Sequence, residues 1–304
     1  VSANNAIVDQ NYPYPLIDVY SYGYRARRIE TLIQTDEDGI FTMEDMRRIQ
    51  GDTYNQKIEF LMPALEALPL TDPIAQEALA FLRLWDGRND IDSPQAALFE
   101  ALWYQLLQLA IVDDLGSVPA GGGDLEWYLV SMFIDVDALP LWDNRNTLDI
   151  VETRQDILTQ ALIEAWNQLV ALLGDDPQAW SWGAIHMAHF VGRPFGNDTL
   201  GEIDRRFVVS VPTGGGDSIV NATGWTANDP FNVRVLPSMR QIYSLADWDA
   251  TLRINPPGQS GDPRSLYYRD QVEMWANVDY RIAPFSQEAI KATTHYILVL
   301  VPAS

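Results

Sequence analysis

Cysteine is absent from the 304 residues, which excludes disulfide bonds, thiolate zinc sites and a cysteine nucleophile. Lysine is scarce, because Lys57 and Lys291 are the only two and arginine supplies the rest of the positive charge. The 20 basic residues are outnumbered by 42 acidic ones, and the formal net charge is -22. No basic stripe interrupts this balance, and an acidic chain repels polyanions, so we expect no nucleic-acid partner.

Long apolar runs are also missing. A membrane-spanning helix needs about 20 consecutive apolar residues, and the nearest candidate, "ALWYQLLQLAIV", ends at Asp113 and Asp114. We therefore expect no membrane partner. The first 15 residues contain neither an initiator methionine nor the basic and apolar regions of a secretory leader. The first residue is thus expected to result from processing, from the choice of expressed boundary or from fragmentation of a longer sequence.

The sequence is rich in apolar and aromatic residues. Hydrophobic residues make up 47% of the chain, with 10 Trp and 13 Tyr, which is enough for one large core or two moderate ones. Apolar spacing of three and four residues predicts a helical block over residues 26–175. Thr42 and Asp45 form a capping-box pattern at one helix start, and Gly174 followed by "DDP" ends the last helix. Further helices are predicted at about 73–85, 94–112, 124–139 and 150–173.

After Trp180 the character changes to short β-type runs separated by Pro and Gly. Strands are predicted in "RFVVSVP", "DSIVNATG", "FNVRVLP", "WDATLRIN" and "HYILVLVP", with helices at about 266–277 and 286–293. The last run is almost continuously apolar, which predicts a strand buried within a sheet. Because no long polar linker interrupts the chain, we interpret residues 1–304 as one partial domain: an active-site strand and loop at 1–25, the helical block, and a β-rich region at 176–304 with helical cover.

Local motifs identify no active site by themselves. "GQSGD" resembles a nucleophile elbow, but Asp262 stands where that motif requires Gly, so a tight turn is the better interpretation. "GGGDS" has no Lys behind it to support a phosphate cradle, and it is interpreted as a flexible loop. His186 and His189 have an H-x-x-H spacing, but no acidic residue follows closely, so structural histidines are favoured over a metal site.

Five stretches in a fixed order are more informative: "VSANNAIVDQNYPYP", "YSYGYRARRIETL", "TMEDMRRIQGDTYN", "WSWGAIH" and "PPGQSGDPRSLYYRDQVEMW". With these stretches the chain resembles the C-terminal part of the β-chain of the penicillin acylase family. That family is a branch of the N-terminal nucleophile hydrolases and includes penicillin, cephalosporin and acyl-homoserine lactone acylases. The resemblance implies an α+β fold that forms part of an αββα N-terminal nucleophile hydrolase.

The resemblance implies an amidohydrolase whose nucleophile lies elsewhere. In the family the nucleophile is the N-terminal Ser of the β-chain, released by autoproteolysis, with its own α-amino group as the base. Position 1 here is Val1, so the expected partners are the remaining N-terminal segment of the β-chain and an α-chain. The substrate class implied is a small N-acyl compound, and penicillins, cephalosporins and acyl-homoserine lactones all remain open.

Two site residues follow from the resemblance. By register, Asn4 corresponds to the family's Asn that donates its side-chain amide to the oxyanion hole. Arg25 corresponds to an Arg near the active site that positions this Asn and the nucleophilic terminus, which suits the planar fork of a guanidinium. Arg28, almost one turn further on, is interpreted as a surface or structural charge.

Some family members bind calcium between their chains, and Asp18 is the nearest counterpart of one ligand, although this loop is shorter here; a plain loop Asp is the alternative. No cofactor is expected to be required, with a structural calcium as an option. Family members are usually periplasmic or secreted.

The alternative to the acylase hypothesis is a non-catalytic homologue or inert fragment that serves as a scaffold or binding module. The coding sequence upstream of Val1 distinguishes the two hypotheses.

Overall fold

The computed structural model describes residues 1–9, 11–16, 19–36, 38–115, 120–193, 195 and 205–302. The chain divides into two compact units. The first contains Val1–Ile40 and Gly51–Pro237, and the second contains Phe41–Gln50 and Ser238–Ser304. None of the described helices is both long and apolar enough to cross a membrane.

Helices dominate the first unit, as the apolar spacing predicts. In chain order the α-helices are α1 (Tyr24–Gln34), α2 (Met43–Gln50), α3 (Ile58–Glu66), α4 (Pro73–Leu82), α5 (Pro94–Leu107), α6 (Asp124–Phe133), α7 (Arg154–Leu173), α8 (Trp182–Ile185), α9 (Val272–Ala276) and α10 (Gln287–Thr293). A π-helical segment, Gln108–Val112, and a short turn, Asp113–Leu115, continue α5. Short 3-10 helices lie at Pro140–Trp142, Pro177–Ala179, Trp248–Ala250 and Leu266–Tyr268.

Local capping explains where several helices begin. The Ser93 hydroxyl accepts from the Ala96 N–H at 3.1 Å, and Pro94 follows at a position where its missing N–H costs nothing. At α7, Thr153 and Asp156 form a reciprocal capping box. The predicted box before α2 is also present, with the Thr42 N–H donating to Asp45 at 2.9 Å.

The core of the first unit surrounds α5. This helix is buried on nearly all sides, since every residue from Ala96 to Trp103 is 0% exposed. Helices α4 and α7 pack against it. Aromatic rings bury large apolar areas in this core. Six described tryptophans of this unit are fully or almost fully buried: Trp103, Trp127, Trp142, Trp180, Trp182 and Trp225.

The described sheets are small and antiparallel. Strand β1 (Met187–Val191) pairs with β2 (Val208–Pro212), and β3 (Arg240–Ile242), β4 (Leu252–Ile254) and β5 (Arg281–Ile282) pair in that order. The predictions in "RFVVSVP" and "WDATLRIN" are confirmed by β2 and β4. Those in "DSIVNATG" and "FNVRVLP" are wrong. Ser218 adopts a φ of 61°, which is incompatible with an extended strand, and the two runs share only an isolated bridge between Gly224 and Val235.

The prediction of a buried strand in "HYILVLVP" is also wrong. Tyr296 to Val301 are each exposed by 73% or more, and residues 295–302 form no strand in the described chain. A continuous apolar run has the side chains that favour a strand, but a strand also needs a neighbour that offers ladder hydrogen bonds. None of the five described strands pairs with this run.

Candidate functional site

Asn4 occupies a fixed and unusual backbone position. Its φ is 65°, in the left-handed region that Asn tolerates better than most residues. The Ser21 N–H donates to the Asn4 carbonyl oxygen at 2.9 Å, and Asn5 forms a parallel bridge with Ser21. The first residues are thereby held beside the segment that leads into α1.

Arg25 contacts the side chain of Asn4 directly. Gly23, with a φ of 87°, turns the chain so that α1 begins at Tyr24 and Arg25 lies in its first turn. The Arg25 Nη2 donates to Asn4 Oδ1 at 2.8 Å. A guanidinium has no acceptor, so the atom facing it must be the amide oxygen. The orientation of the Asn4 amide is therefore fixed, and its Nδ2 is on the side away from Arg25.

Asn5 differs from Asn4 because its amide is used by its own neighbours. The Ala3 N–H donates to Asn5 Oδ1 at 2.8 Å, and Asn5 Nδ2 donates to the Ala6 carbonyl at 3.1 Å. Both ends of this side chain therefore serve the local turn. Within the described part of the chain, Asn4 Nδ2 has no recorded protein acceptor and is available to a ligand.

Two cavities meet at Asn4. The first, of about 590 Å³, is mostly apolar, and its wall includes Ile7, Leu16, Val19, Tyr20 and Leu125 together with Asn4 and Asp124. The second, of about 510 Å³, has a wall that includes Asn4, Arg25, Gly216, Asp217, Ser218 and Val235. A ligand in either cavity can reach the Asn4 amide. The arrangement offers an amide N–H donor beside an apolar space, with a cation and acidic groups close by.

Sequence reasoning missed a pair of acidic residues behind this site. Ser218 Oγ contacts Asp124 Oδ1 in a short hydrogen bond and lies 3.1 Å from Asp217 Oδ1. Burial raises the pKa of the Asp217 carboxyl, the charge of Lys57 and the hydrogen bond with Ser218 oppose this shift, and Asp124 and Glu100 add to it. The residues are up to 94 positions apart, so no local motif indicates that they meet.

The glycine loop before Asp217 is packed, and the prediction of a flexible loop is wrong. The Gly215 N–H donates to the Asn89 carbonyl at 2.8 Å, and the Trp182 indole donates to the Gly215 carbonyl at 3.0 Å. A Cβ on Gly215 would lie 2.1 Å from the Asn221 carbonyl oxygen. The glycines are there because two backbone segments approach too closely for a side chain.

Beneath the loop lies a buried ionic cluster. The Lys57 Nζ is 3.9 Å from Glu100 Oε1 and 3.4 Å from the Asp217 carbonyl oxygen. The side chains of Lys57 and Glu100 are essentially fully buried. Glu100 also accepts from three N–H donors at 2.7 to 2.8 Å: Asn55, Asn89 and Trp225. The cluster ties α5 to the loop that carries Asp217.

A family model described as penicillin amidase matches residues 1–292 of this chain. The chain belongs to the penicillin amidase family. It is 27% identical over 308 residues to the acyl-homoserine lactone acylase QuiP of Pseudomonas syringae pv. syringae (strain B728a), which covers 94% of this chain and 37% of that relative. It is 27% identical over 321 residues to the penicillin acylase 2 proenzyme of Pseudomonas sp. (strain SE83), covering 100% of this chain and 38% of the relative.

The chain thus spans little more than a third of the length of these curated relatives. Its fold is similar to that of a thermostable penicillin G acylase from Alcaligenes faecalis solved in an orthorhombic form. The TM-score is 0.55 at 16% identity, and the match covers 98% of this chain and 57% of that one. The predicted fold class is confirmed: the chain is α+β and forms part of the N-terminal nucleophile hydrolase fold.

Metal ligands are the remaining expectation drawn from the penicillin amidase family. Asp18, the expected calcium ligand, lies outside the described residues. Among those described, no group of three or more His, Asp or Glu side chains could hold an ion. The described residues therefore supply no such group, and no catalytic step is assigned to a metal.

The two histidines of the H-x-x-H pattern, His186 and His189, have separate partners. His186 is fully buried and stacks on Trp182, with its Nδ1 2.5 Å from the Phe231 carbonyl, which requires the proton on Nδ1. Burial lowers the pKa of His186 to about 4. His189 Nδ1 lies 2.7 Å from Ser210 Oγ on the exposed part of β1. Both histidines have partners, as interpreted from the sequence.

Proposed function

We propose that this chain is the C-terminal portion of the β-chain of an amidohydrolase that cleaves a linear carboxamide. The nucleophile is an N-terminal Ser in a segment outside these 304 residues, and the substrate is a small N-acyl compound. Family membership supports the reaction class. The names of the relatives, which include acyl-homoserine lactone and penicillin acylases, support that range of substrates.

One observation carries the assignment of Asn4 as the oxyanion donor: the 2.8 Å hydrogen bond from Arg25 to Asn4 Oδ1. It occupies the acceptor end of the amide and leaves the donor end, Nδ2, available to a ligand in the cavities that Asn4 lines. An amide fixed before the reaction stabilises a developing oxyanion more than one that must reorient. Arg25 is accordingly a positioning residue, and its charge lies close enough to favour a negative oxygen in the second cavity.

The proposed chemistry has two stages. The Ser hydroxyl attacks the carbonyl carbon while its own α-amino group takes the proton, and the carbonyl oxygen becomes negative and accepts the Asn4 Nδ2–H. Collapse of the tetrahedral intermediate breaks the C–N bond, and the amine leaves with the proton. Water then attacks the acyl-enzyme by the same route, and the carboxylic acid is released. A donor of this kind contributes on the order of 3 kcal/mol to transition-state stabilisation.

The remaining parts of the proposal concern partners and location. The upstream β-chain segment and an α-chain complete the site, and the exposed apolar residues Ile7, Leu16 and Val19 are consistent with a surface that other segments cover. We propose a periplasmic or secreted location, as is usual for such acylases. A calcium ion bound through Asp18 would be structural, and no step of the reaction depends on it.

The test uses the complete protein expressed from its full reading frame, assayed for amine release from penicillins, cephalosporins and acyl-homoserine lactones. Asn4→Ala is expected to lower kcat by about 100-fold with a smaller change in KM. The 304-residue chain alone is expected to give no turnover, because Val1 cannot act as a nucleophile. Measurable turnover by this chain alone would overturn the proposal.

Asn5→Ala is the matched control. Its amide serves the local turn, so we expect a modest decrease in thermal stability and a kcat close to that of the wild type. If Asn5→Ala loses kcat and Asn4→Ala retains it, Asn5 is the donor. If both variants keep full activity, this loop does not form the oxyanion hole.

A further inference from the structure

A serine hydroxyl lies between two carboxyl groups at the wall of the Asn4 site. Ser218 Oγ contacts Asp124 Oδ1 in a short hydrogen bond and Asp217 Oδ1 at 3.1 Å. Ser218 is buried and held at a φ of 61°, a conformation that is unfavourable for Ser. Strained residues of this kind persist where the surrounding structure enforces them, and they concentrate at functional sites.

Proton counting limits the protonation states of this trio. A Ser hydroxyl has one proton and can donate to only one of the two carboxyl groups. The contact with Asp124 is the shorter of the two, so the Ser218 proton is assigned to Asp124, whose other oxygen accepts the Tyr22 N–H at 2.9 Å. If Asp217 were also an anion, two oxygens would face each other at 3.1 Å with no hydrogen between them. A protonated Asp217 donates to Ser218, and every contact is then satisfied.

Burial favours the same state, while the surrounding charges act in both directions, with Lys57 opposing it and Asp124 and Glu100 supporting it. Lys57 is the cation in contact with the loop, but it lies beside Glu100, whose carboxylate is the nearest acidic partner of Lys57. From the start of α6, Asp124 adds a second acidic group facing Asp217. Arg25 lines the same cavity from α1. Two cations, Lys57 and Arg25, are thus set against three carboxyl groups, and burial of an unmatched anion is costly.

The trio connects to Asn4 through the backbone. Asp124 Oδ2 accepts from Tyr22, the adjacent Ser21 N–H donates to the Asn4 carbonyl at 2.9 Å, and Arg25 follows three residues after Tyr22. The position of the Asn4 amide thus depends on Asp124, and the Ser218 hydroxyl holds Asp124. Asp217, Ser218 and Asp124 occupy the walls of the two cavities that share Asn4.

We propose that Asp217 is a protonated carboxylic acid at neutral pH and that the chain Asp217–Ser218–Asp124 positions Asn4 for the oxyanion. The three are positioning residues that do not touch the substrate carbonyl. The positioning role depends on the proposed function of Asn4, whereas the protonation of Asp217 does not. When Asp217 loses its proton, the single Ser218 proton lies between two carboxylates, and the hydrogen bond from Ser218 to Asp124 is weakened. Because Asp124 holds the Tyr22 N–H, the backbone next to Asn4 is then held less firmly.

The first experiment tests protonation without using activity. Thermal unfolding of the complete protein is followed from pH 4 to pH 9 for the wild type and Asp217→Asn. A native pKa raised above the unfolded value means that the unfolded chain releases the proton first as pH rises, so the wild type loses stability through that window. The asparagine variant has no such loss, and we expect its melting temperature relative to the wild type to increase with pH. A constant difference across this range would overturn the protonation.

The second experiment tests positioning in the complete protein. Ser218→Ala and Asp217→Ala are each expected to lower kcat at least tenfold with KM changed less than threefold. Asp217→Asn retains an N–H donor toward Ser218, and we expect it to recover most of the kcat lost in Asp217→Ala. In the wild type, deprotonation of Asp217 at high pH should lower kcat, and this decrease should be absent from Asp217→Asn. Ser210→Ala, which removes an exposed hydroxyl that contacts only His189 among its recorded partners, is the matched control.

A double-mutant cycle separates this inference from the proposed function. In the Asn4→Ala background, Ser218→Ala should have little further effect on kcat, because both act through the same amide. If Ser218→Ala costs the same factor in both backgrounds, the positioning role is wrong while Asn4 remains the donor. If Asn4→Ala is fully active, the proposed function fails, and the pH dependence of unfolding still decides the protonation of Asp217. If Ser218→Ala does not fold, Asp217→Ala and Asp217→Asn decide the positioning role by the presence or absence of recovery.

Discussion

Lys57 and Glu100 form an ion pair beneath the Asn4 site, with Nζ and Oε1 3.9 Å apart and both side chains essentially removed from solvent. The lysine also lies over two indole rings, at 5.4 Å from that of Trp103 and 5.6 Å from that of Trp127. A buried pair of this kind contributes little net stability compared with apolar residues of similar size, but removal of either partner leaves the other as an uncompensated buried charge. Its position links α5 to the loop that carries Asp217.

The first prediction concerns this pair. Lys57→Met leaves Glu100 buried without its cation, and we expect the free energy of unfolding to fall by about 3–5 kcal/mol. Lys291, the other lysine of the chain, is exposed on α10 and provides the control. Lys291→Met should change the melting temperature by no more than the error of the measurement. A wild-type melting temperature for Lys57→Met would show that the cluster is not held by this charge.

The helices could be predicted from the sequence because their signals are local. Ser93 with Pro94, and Thr153 with Asp156, stand directly at the helix starts that they determine. The strands were less predictable, because the apolar pattern in "FNVRVLP" forms only an isolated bridge, from Val235 to Gly224. A strand also depends on a neighbour from elsewhere in the chain, which residue patterns near it do not indicate.

The pairing of Asn4 with Arg25 could be anticipated only through the family resemblance. Asn4 and Arg25 are 21 positions apart, and neither residue type is unusual in its own surroundings. The Asp217–Ser218–Asp124 chain was missed altogether, because it joins the start of α6 to a loop 94 positions away. The glycines before Asp217 looked like a flexible loop, since glycine serves both mobility and close backbone packing.

The second prediction separates two arginines of α1. Arg25 donates to Asn4, whereas Arg28 forms two hydrogen bonds to buried Asp52, at 2.8 and 2.9 Å. A lysine cannot reproduce the two-bond contact of Arg28, and it lacks the planar fork that holds the Arg25 Nη2 against Asn4. In the complete protein, Arg25→Lys should lower kcat by about tenfold with little change in melting temperature. Arg28→Lys should keep kcat and lower the free energy of unfolding by about 1–3 kcal/mol. The reverse pattern would exchange the two roles.

The third prediction is a loss of stability in acid through His186. Burial holds its pKa at about 4, below the 6.5 of an accessible imidazole, so the unfolded chain binds the proton first as pH falls. The stability contributed by the neutral ring is fully present above about pH 6.5 and decreases toward pH 4, by on the order of 3 kcal/mol. His186→Asn should flatten this part of the curve of melting temperature against pH. An unchanged slope in that variant would assign the acid sensitivity to other groups.

The fourth prediction compares two glycines with similar backbone conformations but different surroundings. Gly215 and Gly39 have φ of 89° and 66°, and a Cβ on Gly39 would meet nothing within 4 Å. Gly39→Ala should therefore cost only the strain of the left-handed conformation, about 1–2 kcal/mol. Gly215→Ala adds a Cβ only 2.1 Å from the Asn221 carbonyl oxygen, and a backbone atom cannot move aside as a flexible side chain can. We expect Gly215→Ala to lower the free energy of unfolding by more than about 4 kcal/mol, a loss typical of substitutions that disrupt a core. The two melting temperatures measured side by side separate close packing from backbone strain, and equal losses would mean that the loop rearranges around the new methyl group.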